Sequence, residues 1–397
     1  MYPDVETTIA TVIAGAHEVV PLDQLRVKVA NAHRDKRPLR IKVGIDPTTP
    51  DVHLGHLVPY GKMRQLQDLG HVGVVIIGDY TARIGDPSGR DATRQAISAE
   101  EVAENAKRYM DQLYTVLDRA RTEVRYQSEW YDKFDLAATL RLMQEVTVAK
   151  LLQHETFRTR YDNNLPLGLH EMCYPLLQGY DSVVIKADFE LGDPAQKYNI
   201  LVGRDLMERR GMEGQIALLM PVLTGVDGVE KMSKSLGNHI GVLFSPEEQY
   251  GKAMSIPDGI MENWYALVLG KMGAELDAVR RQIKADPYAA KKALAEAIVR
   301  RFHGDAAAQA AAEDFRKKFS ARTLELENIP EAALSSFDPP TATNIITTVF
   351  GMSRTEARRL VSQGSVKLEG EKIGDAETPL TARGVLKVGK KLWVRLT

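Results

Sequence analysis

Hydrophobic and polar positions mark out elements of different kinds along the chain. In residues 1–36, Val5, Ile9, Val12 and Ile13 recur at helical spacing, with Leu25, Val27 and Val29 following less cleanly, which predicts amphipathic helix. Residues 39–45 alternate and are β-branched, so a strand is expected there. Asp46-Pro47-Thr48-Thr49-Pro50-Asp51 cannot extend it, because two prolines and an Asx/Thr cluster form a loop. A helix should run from His53 or His56 to Leu69, stopped by Gly70. Residues 72–77 form an unbroken apolar run, the mark of a strand buried on both faces. Strand, helix and strand in succession make a βαβ unit with a right-handed crossover.

The alternation continues. Ser98-Ala99-Glu100-Glu101 is a capping box opening a helix with Val102, Ala106, Tyr109, Leu113 and Val116 on one face. Residues 124–127 suggest a strand, and 135–160 a helix whose Leu136, Leu140 and Met143 start an apolar stripe widened by Leu142, Val146, Val148 and Leu151. A helix over 169–180 carries Tyr174 and Gln178, with Asp181 at its end on the same face. Residues 182–187 read as a strand, Gln196 opens a helix, and 216–220 read as another buried strand. The expected fold is therefore α/β, a doubly wound parallel, Rossmann-like sheet over 1–245. Residues 246–334 read as a helical domain, with 335–340 resembling a linker. The last domain, 335–397, is expected to be small and α+β, with a helix around 353–360 and strands near 366–368 and 391–394.

Composition narrows this little. The balance of 52 Lys+Arg against 53 Asp+Glu gives no global pull toward nucleic acid, so a basic surface must be sought locally. From residue 351 onward there are ten Lys and Arg against five Asp and Glu, a net of +5, and Arg354, Arg358 and Lys367 become candidates for phosphate contacts or members of a solvated helix. One cysteine, Cys173, excludes an internal disulfide and a multi-cysteine zinc site; beside Tyr174 it reads as a packing residue. The first residues lack the pattern of a signal peptide and no apolar run could span a bilayer, so the cytoplasm is the expected compartment.

Two strings carry the candidate chemistry. Lys231-Met232-Ser233-Lys234-Ser235 sits between glycine-containing turns and makes a movable cationic clamp, suited to a polyphosphate that gains charge as it leaves. His53-Leu54-Gly55-His56 could be surface histidines or half a metal site, but no third ligand accompanies it; imidazole donors at a helix N-terminus suit a nucleotide phosphate better. The loop Gly85-Asp86-Pro87-Ser88-Gly89-Arg90 lacks Walker spacing, so any nucleotide is held without a P-loop. The Tyr174, Gln178 and Asp181 face reads by itself first as a partly buried surface stripe and second as a binding surface.

Together the histidine and lysine strings resemble the two signatures of class I aminoacyl-tRNA synthetases. Gly44-Ile45-Asp46-Pro47-Thr48, Ile84-Gly85-Asp86-Pro87-Ser88-Gly89, Tyr174-Pro175-Leu176-Leu177-Gln178-Gly179-Tyr180-Asp181 and the stretch from Asp227 to Asn238 resemble the tyrosyl branch, in its longer bacterial form, over nearly the whole chain. The C-terminal domain is similar to the S-four type of RNA-binding fold. The resemblance implies a ligase that forms tyrosyl-adenylate from ATP and tyrosine, then transfers tyrosine to the 3′ end of its tRNA. It implies nucleotide-side roles for Asp46, Thr48, His53, Gly55, His56, Gly192, Lys231, Met232, Ser233, Lys234 and Ser235. Gly44, Asp86, Tyr174, Gln178 and Gln196 would hold tyrosine and Asp181 its phenol, while Arg354, Arg358 and Lys367 would contact tRNA. It further implies Mg²⁺ arriving with ATP, no permanently bound cofactor, no resident metal, no membrane partner and a homodimer.

Two departures stand out. The family's ribose-contacting aspartate is replaced in Gly192-Asp193-Pro194-Ala195-Gln196 by Ala195, leaving Asp193 as the substitute. Lys42 stands where the shorter branch has a tyrosine near the phenol. Competing readings are a tryptophanyl-type synthetase and a synthetase-like RNA-binding paralogue that no longer forms adenylate.

Overall fold

The computed structural model describes residues 4–87, 98–327, 329–389 and 392–397; Ser88, Gly89 and Arg90 of the loop above, and Lys391, lie outside them. The chain divides into two compact units, Met1–Ala312 and Glu313–Thr397. The first contains a six-stranded sheet of β1 (Glu18–Val20), β2 (Arg40–Ile45), β3 (Val72–Ile77), β4 (Thr122–Tyr126), β5 (Phe189–Gly192) and β6 (Ile216–Leu219). The spatial order is β1-β6-β5-β2-β3-β4. From β6 to β4 every pair is parallel; β1 alone is antiparallel, with Glu18 opposite Leu219. Winding outward from β2 in both directions makes the β2/β5 boundary the switch point, where ligands enter such sheets at the carboxyl ends of the strands. Val74, Val75, Ile76 and Ile77 of β3 are completely buried, as a central parallel strand requires.

Several expectations change. Residues 1–36 are two helices, Val5–Ile13 and Leu25–Arg34, with β1 and a short 3₁₀ turn between them; three residues of edge strand are too few to show a period. The helix after β2 begins at Leu57 with His56 in the cap position, and His53 precedes it, bridged to Gly241. Residues 135–160 are not one helix but three, Leu136–Met143, Val148–Leu151 and Glu155–Asp162, each of the first two opened by a side-chain cap, from Asp135 and Thr147. The expected strand at 182–187 is absent. The helix Leu169–Ile185 continues through Ser182-Val183-Val184-Ile185 and ends where Lys186 turns left-handed at φ 54°. Local β propensity yields there to packing: a Cβ on Gly179 would lie 2.9 Å from the Gly203 backbone, so this helix touches helix Lys197–Arg209 too closely to unwind.

Helices Pro246–Met254, Met261–Leu267 and Gly273–Ala285 belong to the first unit. The long helix Pro287–Glu327 leaves helical geometry at Gly304, with φ 82°. The second unit has a sheet ordered β7-β11-β10-β8-β9, from β7 (Glu331–Ala332), β8 (Val366–Leu368), β9 (Glu371–Lys372), β10 (Gly384–Val388) and β11 (Leu392–Leu396). Helices Ala342–Phe350 and Arg354–Ser362 accompany it, the first unforeseen from sequence. Residues 335–340 are no linker: Phe337 packs in the same core as Ile345, Ile346, Val361, Leu386 and Val394.

Candidate active site

The first unit gathers most of the predicted residues around the carboxyl ends of β2, β3 and β5. Gly44 is exposed near the end of β2 and a Cβ there would meet nothing, which leaves open backbone for a ligand to approach. Just beyond, Asp46 is fixed from two sides: Thr81 Oγ1 donates to its Oδ1 at 2.6 Å and Tyr174 OH to its Oδ2 at 2.9 Å. Gly78, after β3, admits no side chain, because a Cβ would fall 2.1 Å from Asp46 Oδ1 and 2.3 Å from Thr81 Oγ1. Thr48 N donates to the Asp46 carbonyl at 2.7 Å, which turns the loop back on itself.

The histidine and lysine strings meet. Met232 is buried and its Sδ accepts from Gly55 N at 3.3 Å, so the lysine loop seats on the turn before helix Leu57–Asp68. Gly55 is tight: a Cβ would lie 3.1 Å from the His53 ring and 3.3 Å from Met232 Cβ. Within the loop, Asn238 accepts from Ser233 N and donates to Asp227 and to the Lys231 carbonyl. The Ser233 and Ser235 hydroxyls are 2.9 Å apart. Lys231 is exposed, while Lys234 Nζ donates to Thr49 Oγ1 at 2.9 Å and lies 3.8 Å from Asp51.

His53 and His56 stack with ring centroids 3.6 Å apart. Burial first, then the neighbouring His56, His239 and Lys234, pushes the His53 pKa down to about 2. Burial followed by Lys234 and His239 brings His56 to about 4. At neutral pH both are uncharged, and the Nδ1 atom of each is buried without a hydrogen-bond partner. The pair can thus offer hydrogen bonds to a phosphate without adding full charges. Burial also lowers the Lys234 pKa, with Asp51 opposing.

The helix Leu169–Ile185 turns Tyr174, Gln178 and Asp181 inward together, as their spacing predicted. Tyr174 is buried, and its hydroxyl is held well above its ordinary pKa by burial and by Asp46. Asp181 is buried and accepts from Gln127 Nε2 at 2.8 Å and Trp130 Nε1 at 3.2 Å. Burial raises its pKa to about 7 against the opposing pull of Lys42 and the Gln127 hydrogen bond. Gln196 Nε2 donates to Asp86 Oδ2 at 2.6 Å. A Cβ on Gly192 would come within 2.9 Å of Gln196 Cβ, so glycine lets helix Lys197–Arg209 start close to β5.

The geometry revises one expectation and adds residues. Asp193 Oδ1 caps the turn Pro194–Gln196, accepting from Ala195 N at 2.9 Å and Gln196 N at 3.2 Å. That oxygen is engaged in the cap where the substitute ribose contact was expected. Gln127 and Trp130 were missed, because they follow β4, far in sequence from any motif; Gln127 also accepts from the Tyr80 and Thr81 amides, joining the loop after β3 to Asp181. Arg354, Arg358 and Lys367 lie in the second unit: Arg354 donates to Asn344, Arg358 pairs with Glu377 at 2.7 Å, and Lys367 sits in β8.

A strand-end site with a histidine turn and a lysine loop on a doubly wound sheet is shared with a known family. The profile described as tRNA synthetases class I (W and Y) matches residues 34–320, and the chain belongs to that family. A tyrosine–tRNA ligase of Oleidesulfovibrio alaskensis is 42% identical, over 99% of each chain. One of Bordetella pertussis is 43% identical over 99% of this chain and 97% of its own. Among solved structures, a truncated mitochondrial tyrosyl-tRNA synthetase of Aspergillus nidulans superposes with a TM-score of 0.65 at 20% identity, over 78% of this chain and 93% of that one. A tyrosyl-tRNA synthetase of Archaeoglobus fulgidus, complexed with L-tyrosine, gives 0.62 at 22% identity, over 78% of this chain and all of that one.

Proposed function

We propose that this chain is a tyrosine–tRNA ligase, with ATP, L-tyrosine and the tyrosine tRNA as its substrates. The observation that carries the choice of amino acid is Asp181, a buried carboxylate at the inner end of the Tyr174 and Gln178 face. A phenol can add a donor to such an oxygen, beside the Gln127 and Trp130 contacts it already has, and phenylalanine brings none. The relatives bearing the tyrosine name favour the same choice over a tryptophanyl enzyme.

The tyrosine carboxylate attacks the α-phosphorus of ATP, forming tyrosyl-adenylate and releasing pyrophosphate. The ribose hydroxyl at the tRNA 3′ end then attacks the tyrosyl carbonyl carbon and AMP leaves. A carboxylate is already a nucleophile, so the first step needs placement and charge stabilisation rather than a base. Asp86, Tyr174, Gln178 and Gln196 hold the amino acid against the open backbone of Gly44. Asp46, Thr48, Gly55 and Gly192 bound the nucleotide. His53 and His56 donate neutral hydrogen bonds to the phosphates. Lys234 exchanges Thr49 for the departing pyrophosphate, joined by Lys231, while Met232, Ser233 and Ser235 shape the loop. Mg²⁺ comes as the ATP complex, held by phosphate oxygens.

We assign residues 1–245 to catalysis, 246–334 to the anticodon side and 335–397 to RNA binding, with Arg354, Arg358 and Lys367 on tRNA phosphates. The enzyme acts in the cytoplasm as a homodimer. Leu136, Leu140, Met143 and Val148, apolar and exposed on successive short helices, support a face covered by a second copy. Among the described residues no helix is long and apolar enough to cross a membrane.

The test is tyrosine-dependent ATP–pyrophosphate exchange with ATP titrated to high concentration. Exchange at ordinary ATP is expected. Exchange only at high ATP would trace the weakness to Ala195. None at any ATP, with tRNA still bound, would mean an RNA-binding paralogue.

A further inference from the structure

Beneath the amino-acid side lies an ion pair to which no role has been given. Lys42 on β2 is fully buried and sits in register with Glu190 on β5. Its Nζ reaches three acceptors: the Gln178 carbonyl at 2.6 Å, Ser182 Oγ at 2.7 Å and Glu190 Oε1 at 3.0 Å. That uses every proton of the ammonium. Glu190 is buried too, and it accepts from Ser182 Oγ at 3.1 Å and Gln215 Nε2 at 2.5 Å. Its Oε1 accepts from Gln178 Nε2 at 3.0 Å.

The last contact fixes which way the Gln178 amide faces. Turned over, its oxygen would lie where the nitrogen is, facing a carboxylate oxygen, two acceptors without a proton between them. The nitrogen is therefore held inward and the carbonyl oxygen is the atom left over. Gln178 Oε1 is buried and has no hydrogen-bond partner. A buried orphan acceptor calls for a donor.

We propose that Lys42 and Glu190 are a positioning pair for amino-acid recognition: Glu190 takes the Gln178 amide nitrogen so that its oxygen meets the substrate ammonium, and Lys42 anchors Glu190 and the Gln178 backbone. The inference rests on the tyrosine reading above. Gln178 touches the substrate; Lys42 and Glu190 act through it.

Glu190→Gln is the direct test, since its amide can donate to Gln178 Oε1 and let the Gln178 side chain turn. Lys42→Met/Glu190→Gln does the same without a buried unpaired charge, should the single variant fold poorly. In pyrophosphate exchange the tyrosine KM should rise about tenfold or more, the scale of a lost hydrogen bond to a charged group. The kcat and the ATP KM should stay within about twofold. The probe for mechanism is 3-(4-hydroxyphenyl)propionate, which keeps the phenol and carboxylate but has no ammonium. Its inhibition constant should be the same in wild type and in Glu190→Gln, which keeps Lys42. Equal weakening of tyrosine and this analogue would mean a general packing role and overturn the proposal, as would an unchanged tyrosine KM. A wild-type protein without tyrosine-dependent exchange would instead remove the function on which the proposal rests.

Discussion

The two sides of the site are built on opposite principles. The side we assign to the amino acid draws mainly on side chains of regular elements, many joined by hydrogen bonds: Lys42 and Glu190 on adjacent strands, Tyr174, Gln178 and Asp181 on one helix. The side we assign to the nucleotide uses turns and a loop, with His53 and His56 Nδ1 atoms left unpaired and Lys234 resting on Thr49. The first arrangement suits discrimination, which needs groups that cannot readjust to the wrong substrate. The second suits a reaction in which charge moves, since groups weakly held in the resting state can strengthen their contacts in the transition state.

That contrast can be broken most forcefully at Lys234. Lys234→Ala should slow pyrophosphate exchange by about 10²-fold or more, the scale of losing one transition-state donor. The tyrosine KM should barely change; a tyrosine KM that moved with kcat would erase the division between the sides. Asp181→Asn should do the reverse. It should lower kcat/KM for tyrosine by about 10- to 100-fold and narrow its preference over phenylalanine, measured by exchange with each amino acid. With the wild-type carboxyl raised to about 7, that preference should weaken as the pH falls through that value.

Acid stability sharpens the comparison through the opposite sign. His53 has its folded pKa pushed to about 2, below the ordinary 6.5. Its contribution is complete above the unfolded pKa and is lost as the pH falls from about 6.5, because only the unfolded chain gains the proton. Between pH 7 and 5 that amounts to roughly 2 kcal/mol at most. His53→Asn should flatten the denaturant-measured stability curve over that interval, and an unchanged slope would mean that the ring is hydrated. The smallest effect belongs to Ala195→Asp. A carboxylate restored near the nucleotide should lower the ATP KM about three- to tenfold in exchange assays, leaving the tyrosine KM alone.

The residues we assign to the nucleotide stand out in the sequence because they come in short strings; the structure brings two of these strings together through the Met232 contact to Gly55. The helix face at Tyr174, Gln178 and Asp181 was legible from spacing. The rest of the amino-acid side was not. Gln127 and Trp130 reach Asp181 only through the sheet, and Lys42 meets Glu190 through strand register. Residues 182–187 misled because Val183, Val184 and Ile185 have strand propensity, while the packing of Gly179 on Gly203 keeps the segment helical. The long stripe at 135–160 hid its first break because the apolar pattern carries across the cap at Thr147. Residues 335–340 looked like a connector by composition alone, yet Phe337 is core.

Gly78 gives the site a limit of tolerance as well as a shape. Alanine, the smallest possible step away from glycine, already puts an atom 2.1 Å from Asp46 Oδ1 and 2.3 Å from Thr81 Oγ1. Both neighbours are hydrogen-bonded to each other, so neither can retreat without releasing the other. A side chain at Gly78 would therefore push on the pair that holds Asp46, whereas Ala195 lies in an exposed turn. The β3 side of the cleft is thus the less tolerant of added bulk, the β5 side the more.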